Sequence, residues 1–447
     1  MEAIVPLRLA LMRMNVSRQG WRDSAIREYQ DRRLRTLIRY CWKHVPYYRA
    51  KWTGHIESPD DIQTIEDLQK LPVLTKDEWR EHNDEFVTDV GFLRGEAART
   101  GGSTGRPTLY RMTRMEQEMA WAQNYTGWNW AGWRPGEVFQ VVGGESIGIG
   151  LGDRRVWRDK LMNRYVTSGS NLTIERTKAL VASPHFHDMR LIYGYPNAIR
   201  ELCDLLSVVG ERPRGLRGVV CTAEVMRQEV RDDIARVLGV PVYDQWGMND
   251  GGLLASEGPE RDGLHVFFTR SLLEVVDDKN QQITAPGQTG RALATSLINF
   301  STPFVRYETG DQVHWYSRDP APSGIAWPRI GQVEGRTGDV IYLPSGRRIA
   351  MPGLTLVMRW IDGLKQYQFI QTAPDAVTVR LDRAPDFRMG EGEVLSYLRE
   401  KISPEIRWQI VWGPPELTRN SKLLIIRNDW LRAQGLTRPA PERAVSA

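Results

Sequence analysis

The feature that most constrains this chain is the alternation of short, mostly apolar runs with amphipathic stretches between Val138 and Tyr243. Val138 to Gly143, Met189 to Tyr193, Gly218 to Thr222 and Val240 to Tyr243 read as strands. Pro196 to Val209 and Arg227 to Leu238 lie between them with helical spacing. A strand, a helix and a second strand at this separation make a crossover unit with parallel strands, and such sheets bind ligands at the carboxyl ends of the strands. Beyond Leu264 the pattern turns β-rich: Leu272 to Val276 and Gly290 to Ser296 read as strands, and a proline-rich loop spans Asp319 to Pro328. Past Arg336 it changes again, with strands expected at Gly363 to Thr372, Val377 to Leu381 and Ile406 to Trp412 and a helix at Glu391 to Lys401. The expected fold class is α/β: a large N-terminal domain (1–335) with parallel strands and a β-rich subdomain, then a small α+β domain (336–436). Residues 437–447, rich in Pro and Ala, read as a disordered tail.

Ahead of this region, Gln30 to Val45 reads as an amphipathic helix with Leu34, Leu37, Ile38, Cys41, Trp42 and Val45 on one face, ended by Pro46. Met115 to Trp133 reads as a further helix closing on Trp128, Trp130 and Trp133. Those rings suit core packing, or the wall of a pocket for a flat or aromatic ligand.

Of the 447 residues 41% are apolar, enough to bury a sizeable core, and the net charge is only +5. With no Lys/Arg-rich block, nucleic-acid binding is not expected. Cys41, Cys203 and Cys221 fit neither a zinc site nor a disulfide framework, and point to the cytoplasm. The apolar runs near the N-terminus are broken by Arg8 and Arg13, and no run approaches a membrane span, so neither a signal peptide nor a membrane contact is expected.

Arg99 to Thr108 reads R-T-G-G-S-T-G-R-P-T. Glycines let backbone N–H groups converge on one point, and hydroxyls add donors, a combination that suits a phosphate. The loop does not follow the Walker pattern, and a surface loop has the same composition. Downstream lie T-A-E (Thr222 to Glu224), Y-D-Q-W-G-M-N-D (Tyr243 to Asp250), P-F-V-R-Y-E-T-G-D (Pro303 to Asp311), E-G-R-T-G-D-V-I (Glu334 to Ile341) and R-N-S-K (Arg419 to Lys422). Taken singly these have plain readings: Trp246 as core, Asp250 as a helix cap, Arg306-Tyr307 to Asp311 as a surface ion pair, Lys422 as a solvated lysine. Taken in order, they offer what carboxylate activation by ATP needs: phosphate donors, an acceptor for ribose hydroxyls, and a cation that can withdraw.

The ordered set resembles the motifs of the adenylate-forming superfamily, in the branch of the phenylacetate–CoA ligases with their capsular-polysaccharide and coenzyme F synthetase relatives. V-P-Y-Y-R (Val45 to Arg49), L-P-V-L-T-K (Leu71 to Lys76), Y-G-Y-P (Tyr193 to Pro196) and G-L-H-V (Gly263 to Val266) add to the likeness, which covers about residues 30 to 430. The resemblance implies that Thr100, Gly101, Gly102, Ser103, Thr104 and Gly105 hold the pyrophosphate end of ATP. Ala223, Glu224, Gln245, Gly247 and Met248 would border the nucleotide, with Trp246 stacked on adenine. Asp311 would bind the ribose hydroxyls, and Arg336 ribose or phosphate. Lys422 would be the mobile lysine of the small domain, Gly338 the hinge, and Gly144, Gly148, Tyr193 and Tyr195 the border of the acid pocket.

The pattern departs where relatives carry Y-G-x-T-E: here stand Trp246, Asn249 and Asp250. Asn249 still donates a hydrogen bond. Asp250 keeps the charge one methylene shorter, so Mg²⁺ would approach or bind through water. Some relatives carry a cysteine-based metal site near G-L-H-V. This chain has no cysteine after Cys221, so no zinc is expected, and His265 reads as a packed histidine. The expectation is an AMP-forming ligase that uses ATP, Mg²⁺ and a small carboxylic acid and passes the acyl group to CoA. An amine acceptor, or a non-catalytic nucleotide-binding protein on the same fold, are the alternatives; a homodimer is the family's tendency.

Overall fold

The computed structural model describes residues 4–86, 88, 95–99, 109–143, 147, 157–169, 172–333, 340–345, 348–350, 354, 357–358, 361–417 and 423–434. The chain divides into two compact units, Met1–Val333 and Glu334–Ala447. Outside the described residues lie Thr100, Gly101, Gly102, Ser103, Thr104, Gly105, Gly144, Gly148, Arg336, Gly338, Lys422 and the expected tail 437–447.

In the larger unit a hairpin pairs β1 (Glu96–Arg99) with β2 (Leu109–Met112), placing Arg99 opposite Leu109 at the two ends of segment 100–108. The helix Arg114–Trp130 follows, capped by the Thr113 hydroxyl, which accepts from the Glu116 N–H. Then come β3 (Phe139–Gly143), β4 (Arg164–Ser168), β5 (Leu191–Gly194), β6 (Gly218–Thr222) and β7 (Val242–Gly247). These five form a parallel array in the order β4-β3-β5-β6-β7. The helices Pro196–Val209 and Gln228–Leu238 provide crossovers and end on Gly210 and Gly239 at φ of 78° and 71°, a left-handed conformation that favours glycine.

The β-rich stretch continues the same sheet. It comprises β8 (Leu254–Glu257), β9 (Leu264–Val266), β10 (Ser271–Val276), β11 (Thr289–Ser296), β12 (Tyr307–Ser317) and β13 (Arg329–Ile330). Among the described residues the sheet has 11 strands in the order β10-β11-β12-β13-β9-β8-β7-β6-β5-β3-β4. β7 is the pivot, parallel to β6 on one side and antiparallel to β8 on the other.

Strands covered on both faces read as continuous apolar runs, because alternate residues feed different cores. Ile192, Val219 and Cys221 pack with the two crossover helices, whereas Leu191 and Val220 pack with Trp128 and Trp133. Gly194 permits β5 to approach β3: a Cβ there would lie 1.8 Å from the Val142 carbonyl oxygen. Cys41 is buried, as its helix face required, and burial raises its thiol pKa. Among the described residues no helix is long and apolar enough to cross a membrane.

The smaller unit has a strand pair, β14 (Val340–Tyr342) with β15 (Arg348–Ala350). Its main sheet joins β16 (Leu364–Ala373), β17 (Ala376–Arg383), β18 (Arg407–Trp412) and β19 (Ile426–Asn428) in the order β18-β17-β16-β19. The helix Glu391–Lys401 buries Val394 and Leu398 in a core with Phe369, Val379 and Trp408.

Candidate nucleotide site

Two sequence segments far apart in the chain are laced together by two hydrogen bonds. On β7 the Trp246 indole N–H donates to Asp311 Oδ2 at 2.9 Å. Beyond β7 the Tyr307 hydroxyl donates to Asp250 Oδ2 at 3.1 Å. Tyr307 and Asp311 both belong to β12, so Y-E-T-G-D holds W-G-M-N-D at two points. The glycine of T-G-D has a local cause: the β11–β12 register shifts here, and Gly310 has φ +85°. Such a bulge re-aims the following side chain, Asp311, which is buried and whose N–H donates to the Thr309 hydroxyl.

Asn249 and Asp250 lie on a tight turn, not at a helix start. It closes by Met248 N–H donating to the Leu253 carbonyl at 2.9 Å and turns through Gly251 and Gly252 at φ +86° and +79°. A Cβ on Gly251 would meet Ala294 at 2.6 Å, so the turn sits against β11. Asn249 is exposed and Asp250 half-buried. Trp246 is half-buried and packs on the core, with its indole N–H committed to Asp311.

At the end of β6, Ala223 holds φ +70°, a conformation that costs a non-glycine residue roughly 1–2 kcal/mol and so marks a constrained corner. The next residue, Glu224, accepts from the Asn197 side-chain amide at 2.8 Å and the Asn197 N–H at 3.3 Å. Its carboxylate therefore faces the first turn of the helix Pro196–Val209, where negative charge is favoured. Gln245 faces the other side of β7, donating to Asn124 at 2.8 Å on the helix Arg114–Trp130.

Asp244 shares Trp246's face of β7, two residues earlier. Burial, with Glu257 close by, pushes its carboxyl up to about 7. Glu257 accepts from the Asp244 N–H at 2.7 Å and binds Arg231 in a bidentate pair at 2.8 and 2.9 Å. A cleft of about 550 Å³ opens here, lined by residues including Met226, Asp244, His314 and Gln332. In the sequence Asp244 stands only within Y-D-Q-W-G-M-N-D, where nothing marks it as a buried carboxyl.

Tyr193 is half-buried with its ring 4.8 Å from that of Trp128, whereas Tyr195 is wholly buried in the core. Trp128, Trp130 and Trp133 are also core residues, so the tryptophan-rich segment gives no support to an aromatic ligand.

Arg306 is no surface residue. It is 1% exposed, forms a 3.2 Å ion pair with Glu274, and donates to the carbonyls of Leu71 and Asn280. It thus clamps the L-P-V-L-T-K segment.

His265 of G-L-H-V is wholly buried, its Nδ1 donating to the Trp327 carbonyl at 3.3 Å. Burial lowers its pKa from 6.5 to about 4. A depressed histidine pKa gives stability that is present above 6.5 and lost as pH falls toward 4, because the unfolded chain takes the proton first. The stability difference between wild type and His265→Gln should therefore shrink by about 3 kcal/mol from pH 7 to pH 4. Urea unfolding across that range measures it, and a constant difference would refute the assignment. Glu116 and Asp244, both raised to about 7, act with the opposite sign as pH rises, hence the need for the difference.

Among the described residues no group of three or more His, Cys, Asp and Glu side chains is placed to hold a metal. Mg²⁺ needs less: it is commonly held by one or two carboxylates together with substrate phosphates. Asp250, its Oδ2 taken by Tyr307, fits that minimal role.

No family profile matches the chain. Curated relatives do. Phenylacetate-coenzyme A ligase of Pseudomonas putida is 26% identical over 330 residues, 71% of this chain and 72% of the relative. Protein CapK of Staphylococcus aureus is 23% identical over 360 residues, 79% and 78% of the two chains. Among solved structures, 2-hydroxyisobutyryl-CoA ligase in the postadenylation state, in complex with R3-HIB-AMP, superposes with a TM-score of 0.74. That match has 19% identity and covers 94% of this chain and 93% of the other. An anthranilate CoA ligase in complex with anthranoyl-AMP matches with a TM-score of 0.53 and 15% identity, over 76% and 67% of the two chains.

Proposed function

We propose that this chain, which has the fold of the adenylate-forming CoA ligases and sequence relatives among the phenylacetate-CoA ligases, activates a carboxylic acid with ATP and passes the acyl group to CoA. The observation that carries the reading is the pairing of Trp246 with Asp311, which sets an aromatic face beside a buried carboxylate at the carboxyl end of a parallel strand.

In this reading the Trp246 ring stacks on adenine. Asp311 accepts the ribose hydroxyls. Glu224 and Ala223 border the nucleotide, and the segment Thr100–Gly105 supplies phosphate donors. The acid's carboxylate oxygen attacks the α-phosphorus in line, the bond to the bridging oxygen breaks, and pyrophosphate leaves. Arg336 and Lys422 neutralise the charge on the transferring phosphate. Lys422 then withdraws from the phosphate. The CoA thiolate attacks the acyl carbon and AMP leaves. Mg²⁺, when bound near Asp250, neutralises phosphate charge. The acid lies by Gly144, Gly148 and Tyr193.

Acid-dependent exchange of labelled pyrophosphate into ATP, over a broad acid panel with Mg²⁺, tests the first half-reaction without knowing the acceptor. Exchange above background with one or more acids is expected, followed by thioester formation when CoA is added. Absence of exchange with every acid would refute the reading.

A further inference from the structure

Behind the Asn249–Asp250 turn lies an ion pair that no sequence motif announces. Arg270 directly precedes β10, its side chain is 3% exposed, and its Nε stands 3.7 Å from Glu116 Oε1 on a side chain 1% exposed. From this anchored position Arg270 Nη2 reaches two acceptors on one residue, the backbone carbonyl and Oδ1 of Asn249, each at 3.4 Å. The turn is shaped to allow the approach: a Cβ on Gly252 would lie 3.0 Å from Arg270 Nε.

A guanidinium has only donors, so the carboxamide atom it faces must be the oxygen. The Asn249 NH₂ group is then on the far side of the carboxamide, and Asn249 itself is exposed. We propose that Arg270, backed by Glu116, is a positioning residue that turns the Asn249 carboxamide so that its N–H donors face the phosphates of the bound nucleotide. The proposal rests on the nucleotide-site reading above. It explains how asparagine serves where relatives carry threonine. A free carboxamide presents oxygen or nitrogen with nearly equal ease, and an oxygen facing phosphate would repel it. Arg270 removes that choice. Glu116 keeps the arginine from swinging toward the phosphates itself, because leaving a buried carboxylate unpaired is costly.

The test is a double-mutant cycle of Arg270→Met, Asn249→Ala and the pair, with melting temperatures recorded for all. It is read as the ATP dissociation constant by calorimetry and as kcat of pyrophosphate exchange. Each single variant is expected to lose about tenfold in one of these, and the pair no more than the worse single variant, a coupling of about tenfold. Asn249→Ala truncates an exposed side chain and keeps the fold. If Arg270→Met fails to fold, Arg270→Lys replaces it in the same cycle, since lysine keeps the charge but has no second nitrogen to hold Glu116 while the first serves Asn249. Losses that multiply would overturn the proposal, as would a lowered melting temperature with unchanged binding and exchange. ATP binding by a wild type inactive with every acid would refute acyl activation while the cycle still decides the proposal on binding. A wild type that does not bind ATP refutes both.

Discussion

Arg306→Ala is expected to destabilise the large unit by about 3–5 kcal/mol, the usual result of stripping one partner from a buried ion pair. That is a large share of the roughly 5–15 kcal/mol by which folded proteins exceed their unfolded states. Three effects add here. Glu274, wholly buried and with its carboxyl already raised by burial, loses its cation. The carbonyls of Leu71 and Asn280 lose their donors. The space of the guanidinium, 1% exposed, is left as a cavity. Arg306 also holds φ +50°, a conformation that survives because these contacts fix it. Leu74 N–H donates to the Arg306 carbonyl and Glu308 N–H to the Leu74 carbonyl, so the loss reaches the start of β12 and the strand position of Tyr307. Urea unfolding would measure the change. A loss below about 1 kcal/mol would show that the pair is dispensable. Arg306→Lys, which keeps the charge but only one donor point, should fall between the two.

Asp311→Asn should weaken ATP binding about 100-fold with little change in melting temperature. A carboxylate can accept from both ribose hydroxyls and from the indole. A carboxamide has one acceptor oxygen, which Trp246 already claims in the free protein. The loss of one or two charge-assisted hydrogen bonds, at about 1.5–3 kcal/mol each, sets the size of the effect. Calorimetric titration with ATP decides it. A dissociation constant within threefold of wild type would remove Asp311 from the ribose site, and a collapse of melting temperature would make it structural.

The parallel half of the sheet was legible in the sequence because strands buried on both faces leave uninterrupted apolar runs, and their crossover helices carry a clear stripe. β4 with Arg164, and the short strands β8, β9 and β13, were not. β13 has two residues, and its place between β9 and β12 depends on pairing with chain some 65 positions away. Within the candidate site, the motif order singled out Trp246, Asp250 and Asp311 but could not show that Asp311 bonds Trp246 and Tyr307 bonds Asp250. Arg270 and Glu116 escaped for a physical reason. T-R-M-E from Thr113 to Glu116 has the form of a capping box, which would turn the glutamate back toward the helix start in solvent. In the structure only half of the box forms, and the carboxylate turns inward to Arg270. Burial of a single charge leaves no mark in a sequence, so tryptophans that filled the core also resembled a pocket wall.

The place of β7 at the change of strand direction has a consequence for assembly of the protein. One neighbour arrives through a helical crossover and the other through a tight turn, while Asp311 comes from a strand three positions further along the sheet. Trp246 and Asp311 therefore meet only once the two directional halves have joined. If the pair grips a nucleoside as proposed, a chain folded in one half alone would have no hold on it, and a bound nucleotide would draw the joined state forward against the partly built ones.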